Sequence, residues 1–148
     1  MAEGFARRYG SDVMEPASAG LSPAAIVQPL TKQVMQAKNI NIDDQYPKGL
    51  SSIDLFSFDL IINMSGAKLP VSIPVELRDW PVEDPIGRSE AVYCAVRDKI
   101  EHLVMTLILE LRRQSSDGDH SSKTAHGRRA VPRKNKRGPE ELIPPKPR

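Results

Sequence analysis

The chain has 148 residues, which is typical of one domain, and 39% of them are hydrophobic. Its net charge of +2 at pH 7 is unevenly divided. Residues 114–148 contain nine Lys/Arg and four Asp/Glu, a net of +5, whereas residues 1–113 contain twelve and fifteen, a net of −3. The single cysteine, Cys94, excludes an internal disulfide and is typical of a reducing compartment.

The hydropathy pattern predicts a cytoplasmic protein. No apolar run approaches the ~20 residues that a membrane span requires. The beginning of the sequence also lacks the basic-then-apolar pattern of a secretory signal. We therefore expect no membrane partner.

The predicted elements in the first third of the chain are a helix, a strand and a second helix. Residues 1–9 place their apolar side chains on one face of a short amphipathic helix. Residues 14–18 predict a weak strand. Ser22 and Pro23 suit an N-cap and a first helical position, so we predict a helix from there to about Ala37. Its predicted inward residues are Ile26, Leu30, Val34 and Ala37.

The later elements continue this alternation. Residues 60–62 form a continuous apolar run, which is typical of a strand buried on both faces. Residues 76–80 predict a short strand, and Ser89 suits the N-cap of a long helix that ends near Arg113. The predicted inward stripe of that helix is Val92, Val96, Ile100, Leu103, Leu107 and Leu111, with Val104 and Ile108 beside it. Strands alternating with helices predict a three-layer α/β fold, a parallel sheet flanked by helices.

Residues 114–148 have a different composition and predict a disordered, basic tail. They contain five prolines and few apolar residues, too few to offset the entropy of ordering. The basic clusters at 128–129 and 133–137 are of the kind that attracts an acidic protein partner, nucleic acid or anionic lipid, but a solvated extension is the favoured interpretation. Nucleic acid is not expected as a partner, because no aromatic residue is interleaved for base stacking.

Six segments, in the same order and spacing, resemble one known family. They are Met-Ala-Glu-Gly at 1–4, Ser-Ala-Gly at 18–20, Asn-Ile-Asn-Ile-Asp at 39–43, the strand at 58–64, Trp-Pro-Val-Glu-Asp-Pro at 80–85 and the helix at 92–100. The chain is thus similar, over residues 1–113, to the low-molecular-weight protein tyrosine phosphatases and the arsenate reductases that share their fold. The resemblance implies a domain at 1–113 and a tail at 114–148.

The resemblance also implies that part of the family's site is missing from this sequence. In the family, a first strand and a phosphate loop with the sequence Cys-x-x-x-x-x-Arg-Ser precede the Met-Ala-Glu-Gly helix. The helix amides face the phosphate, and the thiolate of the loop is the nucleophile. We therefore expect an N-terminally truncated sequence whose true start lies upstream.

The resemblance implies a phosphatase that forms a cysteinyl-phosphate intermediate when the upstream loop is present. Its substrate would be a phosphorylated protein, of the phosphotyrosine type, or a small phosphomonoester. No cofactor and no metal are expected. The three histidines are scattered, and a single cysteine gives no convincing zinc-binding spacing.

Asp84 is the residue to which the resemblance assigns general-acid catalysis, because it directly precedes a proline. Without the resemblance, Asp84 would be interpreted as a loop carboxylate beside Pro85. Glu83 is the weaker candidate, since it does not directly precede the proline. Trp80 either lines the mouth of the site as a substrate-binding residue or is an aromatic residue at the edge of the core.

Several positions depart from the family's pattern. Residues 86–87 are Ile-Gly, where phosphatases of the family often have an aromatic residue, which argues against phosphotyrosine specificity. Cys94 is predicted to lie inside a helix, with Ile100 instead of Arg six residues later, so it is not the nucleophile. Ser65 and Ser72 stand where thioredoxin-coupled arsenate reductases carry further cysteines, and serine cannot relay a disulfide. Two alternatives remain, an arsenate reductase that uses an external thiol and an inactive remnant that binds partners.

Overall fold

A computed structural model describes residues 1–73 and 75–121 of the chain. In chain order, its helices and strands are α1 (Ala2–Tyr9), α2 (Pro29–Gln36), two 3-10 helices (Leu50–Ser52 and Leu55–Ser57), β1 (Leu60–Asn63), β2 (Glu76–Asp79) and α3 (Glu90–Ser121). The predicted first helix and both later strands are confirmed.

Strands β1 and β2 are parallel neighbours in one sheet, which has these two strands within the described residues. Leu60 lies opposite Glu76, and Asn63 lies opposite Asp79. The α/β class with helices and a parallel sheet is therefore confirmed. The prediction that residues 60–62 are buried on both faces is wrong, because all three are half-buried.

The buried core lies where the three α-helices meet. Its apolar residues are Phe5, Ala6, Met35, Ile40, Ile42, Val96, Ile100, Val104 and Ile108. Burying an aliphatic or aromatic side chain contributes about 1.5–3 kcal/mol, so this cluster is a large source of stability. None of these core residues lies on β1 or β2. The strands lie at the margin of the core, which explains their partial exposure.

Two glycines allow α1 to approach its neighbours closely. A Cβ atom built on Gly4 would lie 2.8 Å from Cγ2 of Ile42, and one built on Gly10 would lie 2.9 Å from Cγ1 of Ile108. Side chains at these positions would force the helix away from the core. The glycine of the Met-Ala-Glu-Gly segment thus has a packing role.

Helix α2 begins at Pro29 and not at Pro23, so its predicted start is wrong. Proline lacks the N–H that would bond to the preceding turn, and it forces the residue before it away from helical geometry. Gln28 accordingly has φ −58° and ψ 136°. Two predicted inward residues lie outside the helix and are exposed: Ile26, at 60% exposure, precedes it, and Ala37 follows it.

The predicted strand at residues 14–18 is wrong, since the structure has no strand in that segment. Pro16 lies in its middle and cannot donate a ladder hydrogen bond. The chain instead forms one isolated parallel bridge slightly later, between Gly20 and Gly49. The backbone N–H of Gly20 donates to the carbonyl oxygen of Lys48 at 2.8 Å.

Helix α3 continues past its predicted end near Arg113 to Ser121. Hydroxyl groups bond to the preceding turn: Ser115 Oγ donates to the Leu111 carbonyl at 3.0 Å, and Ser116 Oγ to that of Arg112 at 2.9 Å. An anchored helix needs no apolar stripe to extend, because each added residue brings a backbone hydrogen bond. The first part of the predicted disordered tail is therefore helical, and residues 122–148 lie outside the described residues.

The Arg97-Asp98 pair links α3 to α2. The Arg97 side chain is almost buried; its Nη1 donates to the carbonyl oxygen of Val34 at 3.0 Å and its Nη2 lies 2.8 Å from Asp98 Oδ1. Lys38, just beyond α2, lies 3.2 Å from the same carboxylate. These contacts fix how α2 crosses the helix that carries most of the core.

Candidate functional site

The loops that follow β1 and β2 leave from the same edge of the sheet, because the two strands are parallel. In open α/β sheets, ligands bind outside the carboxyl ends of the strands. The predicted site residues Asp84 and Trp80 both lie in the loop between β2 and α3. This loop and the one after β1 therefore form the candidate site.

Asp84 has an exposed carboxylate in an Asx turn. Its Oδ1 accepts a hydrogen bond from the backbone N–H of Ile86 at 3.0 Å. Within the described residues, no cationic group forms an ion pair with Asp84. Glu83, the weaker candidate, is instead paired with Arg88 at 2.7 Å. Of the two carboxylates, Asp84 is the one that remains available for proton transfer, and its role as the acid stays a prediction.

Trp80 is half-buried and packs against the helical core. Its backbone N–H donates to the carbonyl oxygen of Asn63 at 2.9 Å. The geometry is that of an aromatic residue at the edge of the core. A part in lining the mouth of a site stays a prediction.

A side-chain network at the end of β1 was not anticipated from the sequence. Asn63 is 8% exposed, and its Nδ2 donates to Asp79 Oδ1 at 2.7 Å and to the carbonyl oxygen of Ala67 at 2.8 Å. Its Oδ1 accepts from Ser65 Oγ at 2.7 Å and from the Ser65 N–H at 3.1 Å. The available signal was an amide residue at the end of an apolar strand, directly after the apolar run at 60–62, which the resemblance did not single out.

Two further contacts tie the Asp84 loop to the body of the domain. The Lys99 ammonium group on α3 donates to the carbonyl oxygen of Pro81. Val82 packs against the core cluster. The loop then turns back toward α3, where the N–H of Arg88 donates to the carbonyl oxygen of Pro85 at 2.9 Å. Asp84 therefore follows a loop segment that is anchored to α3 and the core, and a local turn at residues 85–88 follows it.

Glu3, in the Met-Ala-Glu-Gly segment, is a buried carboxylate that holds two loops against α1. It pairs with Arg7 at 2.7 Å, accepts a hydrogen bond from Ser18 Oγ, and has Lys48 Nζ at 3.8 Å. Such a buried charge requires these partners, because an unpaired one would be very costly. The Ser-Ala-Gly turn at residues 18–20 is thereby fixed at the first turn of α1.

Cys94 lies on α3, half-buried, as a helix residue. It occupies no loop at a helix N-terminus, the setting in which a reactive thiolate is usually found. Ser65 and Ser72 both lie exposed in the segment between β1 and β2. The Ser65 hydroxyl is engaged with Asn63, as described above.

The described residues offer no cluster of three or more His, Cys, Asp or Glu side chains arranged to hold a metal ion. Across the same part of the chain, no helix combines the length and apolarity that crossing a bilayer requires.

Comparison with known proteins gives a consistent set of relatives. The glutaredoxin arsenate reductase of Synechocystis sp. is 30% identical over 117 residues, covering 75% of this chain and 87% of that protein. A putative arsenate reductase of Halobacterium salinarum is 30% identical over 105 residues, covering 70% of this chain and 74% of that protein.

The solved structures that resemble the chain include arsenate reductases. One in the phosphate-binding state has a TM-score of 0.67 at 30% identity, covering 74% of this chain and 86% of that one. The arsenate reductase of Archaeoglobus fulgidus, at 23% identity and a TM-score of 0.64, covering 72% of this chain and 86% of that one, shares the fold. The family model described as low molecular weight phosphotyrosine protein phosphatase matches residues 1–117. The chain therefore belongs to the low molecular weight phosphotyrosine protein phosphatase family.

Proposed function

We propose that this domain is the core of an arsenate reductase that receives its reducing equivalents from an external thiol. The proposal applies to a polypeptide in which a Cys-x-x-x-x-x-Arg segment leads into α1. The proposal rests on two relatives that are each 30% identical to this chain. Both are named as arsenate reductases, and one of them is a glutaredoxin arsenate reductase.

The loop after β1 supports an external thiol over an internal relay. A relay through the domain needs further cysteines that can pass a disulfide along. This loop carries Ser65 and Ser72 at the corresponding positions, and the only cysteine of the chain lies on α3. The second thiol must then come from another molecule, such as a glutaredoxin or a small thiol of the cytoplasm.

The proposed reaction assigns one step to Asp84. A thiolate attacks the arsenic atom of arsenate, and one arsenate oxygen departs as water with a proton from Asp84. An external thiol then attacks the sulfur bonded to arsenic. A disulfide forms, and the electron pair of the broken sulfur–arsenic bond reduces arsenate to arsenite. The two thiols supply both electrons.

The loop composition after Asp84 favours a small oxyanion as the substrate. Ile86 is 57% exposed and is followed by Gly87, which has a φ of 77°. An exposed aliphatic residue and a glycine provide no aromatic wall against which a phosphotyrosine ring could stack. Arsenate needs no such wall.

Hydrolysis of phosphomonoesters through a cysteinyl-phosphate intermediate is the second candidate. The description of the family and the Asp84-Pro85 sequence favour it. The same acid would then protonate the leaving oxygen of a phosphorylated protein or small phosphomonoester. An inactive remnant, whose basic tail binds an acidic partner, is the third candidate.

The experiment compares these candidates in one protein. The gene is expressed together with any sequence encoded in frame before the Met1 codon. Arsenite formation by the product is measured once with glutathione and glutaredoxin and once with thioredoxin. Phosphatase activity is measured separately as the release of p-nitrophenol from p-nitrophenyl phosphate. We expect arsenite with glutathione and glutaredoxin and little with thioredoxin. Ester hydrolysis without arsenite would favour the phosphatase, and neither activity would favour the remnant.

A further inference from the structure

Asn63 is the point at which the two loops of the candidate site are joined. Through its side chain it holds Ser65 and Ala67 in the loop after β1 and Asp79 at the end of β2. Through its carbonyl oxygen it holds the backbone N–H of Trp80, the first residue of the Asp84 loop. One buried residue therefore contacts both loops through side chain and backbone.

The donor and acceptor directions of the Asn63 hydrogen bonds require an asparagine at this position. Its amide must donate to two oxygens, those of Asp79 and Ala67, and its amide oxygen must accept from Ser65. An aspartate has the same shape but no donor, so it would place an oxygen 2.7 Å from the Asp79 carboxylate. Two like charges at that distance repel each other, and the repulsion would separate the ends of β1 and β2.

We propose that Asn63 is a positioning residue, which sets the direction in which the Asp84 loop leaves β2. The Asn63–Asp79 bond fixes the last residue of β2 and the Asn63–Trp80 bond fixes the first residue of the loop, and the anchors at Pro81 and Val82 follow directly. The consequence for proton transfer by Asp84 rests on the proposed function. The positioning of the loop itself does not.

Trp80 is the only tryptophan of the chain, so its fluorescence reports on the position of the Asp84 loop. We expect Asn63→Asp to shift Trp80 emission to the red and to increase its quenching by acrylamide, while far-UV circular dichroism stays native. Asp79→Ala, at an exposed position, removes the same inter-strand bond and should give the same shift. It keeps the test valid if Asn63→Asp does not fold.

A rescue variant separates positioning from general damage. In the double variant Asn63→Asp with Asp79→Asn, the amide of residue 79 can donate to the carboxylate of residue 63, so the emission should return most of the way to the wild-type value. Glu76→Ala is the matched control, since it removes a carboxylate at the other end of β2. Unchanged emission and quenching in both single variants, or a double variant without recovery, would overturn the proposal.

Enzyme activity is measured with the polypeptide that includes a phosphate loop. Asn63→Asp should lower kcat by up to about 10²-fold, the cost of misplacing a catalytic group by roughly 1 Å, with little change in KM for arsenate. If that polypeptide has no activity, the proposed function fails but the fluorescence result still decides the positioning role. If kcat is unchanged while the emission shifts, the link to Asp84 is overturned.

Discussion

The Glu83 carboxylate lies 2.7 Å from the Arg88 guanidinium group, whereas its neighbour Asp84 accepts a hydrogen bond from the Ile86 N–H. The ion pair leaves Asp84 as the carboxylate that can exchange a proton with a substrate. We expect Asp84→Asn to lower turnover by about 10²–10⁴-fold, the usual contribution of a general acid. Turnover is measured with the polypeptide that contains a phosphate loop.

Glu83→Gln is the matched control for this experiment. It removes a charge from the adjacent residue and breaks only a surface ion pair, so turnover should stay close to the wild-type value. Equal losses in the two variants would contradict the assignment of Asp84.

Gly4→Ala should destabilise the domain although alanine favours helices. The helix preference alone would stabilise it by about 0.5–1 kcal/mol. The new Cβ would lie 2.8 Å from Cγ2 of Ile42 and 3.1 Å from Cε of Met35, and overpacking of this kind costs about 1–3 kcal/mol. We expect a net loss in the free energy of unfolding, measured with urea.

Gly20→Ala serves as the control for the glycine experiment. Its new Cβ would lie 3.6 Å from the nearest atoms of Pro23, which is ordinary van der Waals contact. If Gly20→Ala lowered the free energy of unfolding as much as Gly4→Ala, close packing of α1 would not be the cause of the destabilisation.

The ion pair between Arg78 on β2 and Glu110 on α3 should make stability depend on pH. Arg78 Nη1 and Nη2 donate to the two oxygens of Glu110 at 2.8 and 2.7 Å, and this hydrogen bonding holds the pKa of Glu110 below its ordinary value of 4.5. A carboxyl group with a lowered folded pKa stabilises the protein above its unfolded pKa, and the contribution is lost as the pH falls through the folded pKa.

Glu110→Gln should therefore reduce the loss of unfolding free energy between about pH 5 and pH 3. Urea titrations of the variant and the wild type at both pH values measure this difference. Glu15→Gln is the control, since Glu15 is exposed and forms no ion pair within the described residues. An unchanged acid response in Glu110→Gln would show that the pair contributes nothing to it.

Cys94→Ser should leave both folding and activity near the wild-type level. The thiol lies half-buried within α3 and is not part of a loop at a helix N-terminus, the usual setting of a reactive thiolate. Arsenite formation and the urea midpoint measure the effect. Abolished turnover with an unchanged midpoint would make Cys94 a catalytic thiol, against this account.

The sequence predicted the elements whose signals are local and strong. The apolar face of α1, the apolar run at 60–62 and the long stripe of α3 each identify an element of the structure. The errors arose where one proline outweighed a pattern: Pro29 moved the start of α2, and Pro16 prevented the strand at 14–18. The end of α3 was misjudged because polar residues extended an anchored helix.

The candidate site was only partly predictable, because its geometry depends on residues far apart in sequence. Asp84 and Trp80 were predicted as site residues from the resemblance to a family motif, and the structure places both in the loop between β2 and α3. Asn63 was not predicted, since an amide after an apolar run does not by itself indicate that the residue meets Asp79 across the sheet. Lys99 likewise reaches the Asp84 loop only in the folded chain.

The proposal that the domain serves arsenate reduction with an external thiol can be tested in one measurement. Its most direct test is the rate of arsenite formation by the polypeptide that carries a phosphate loop before α1, measured with glutathione and glutaredoxin against thioredoxin. We predict turnover with glutathione and glutaredoxin that depends on Asp84, and little turnover with thioredoxin. Hydrolysis of p-nitrophenyl phosphate with no arsenite under any thiol would contradict the proposal.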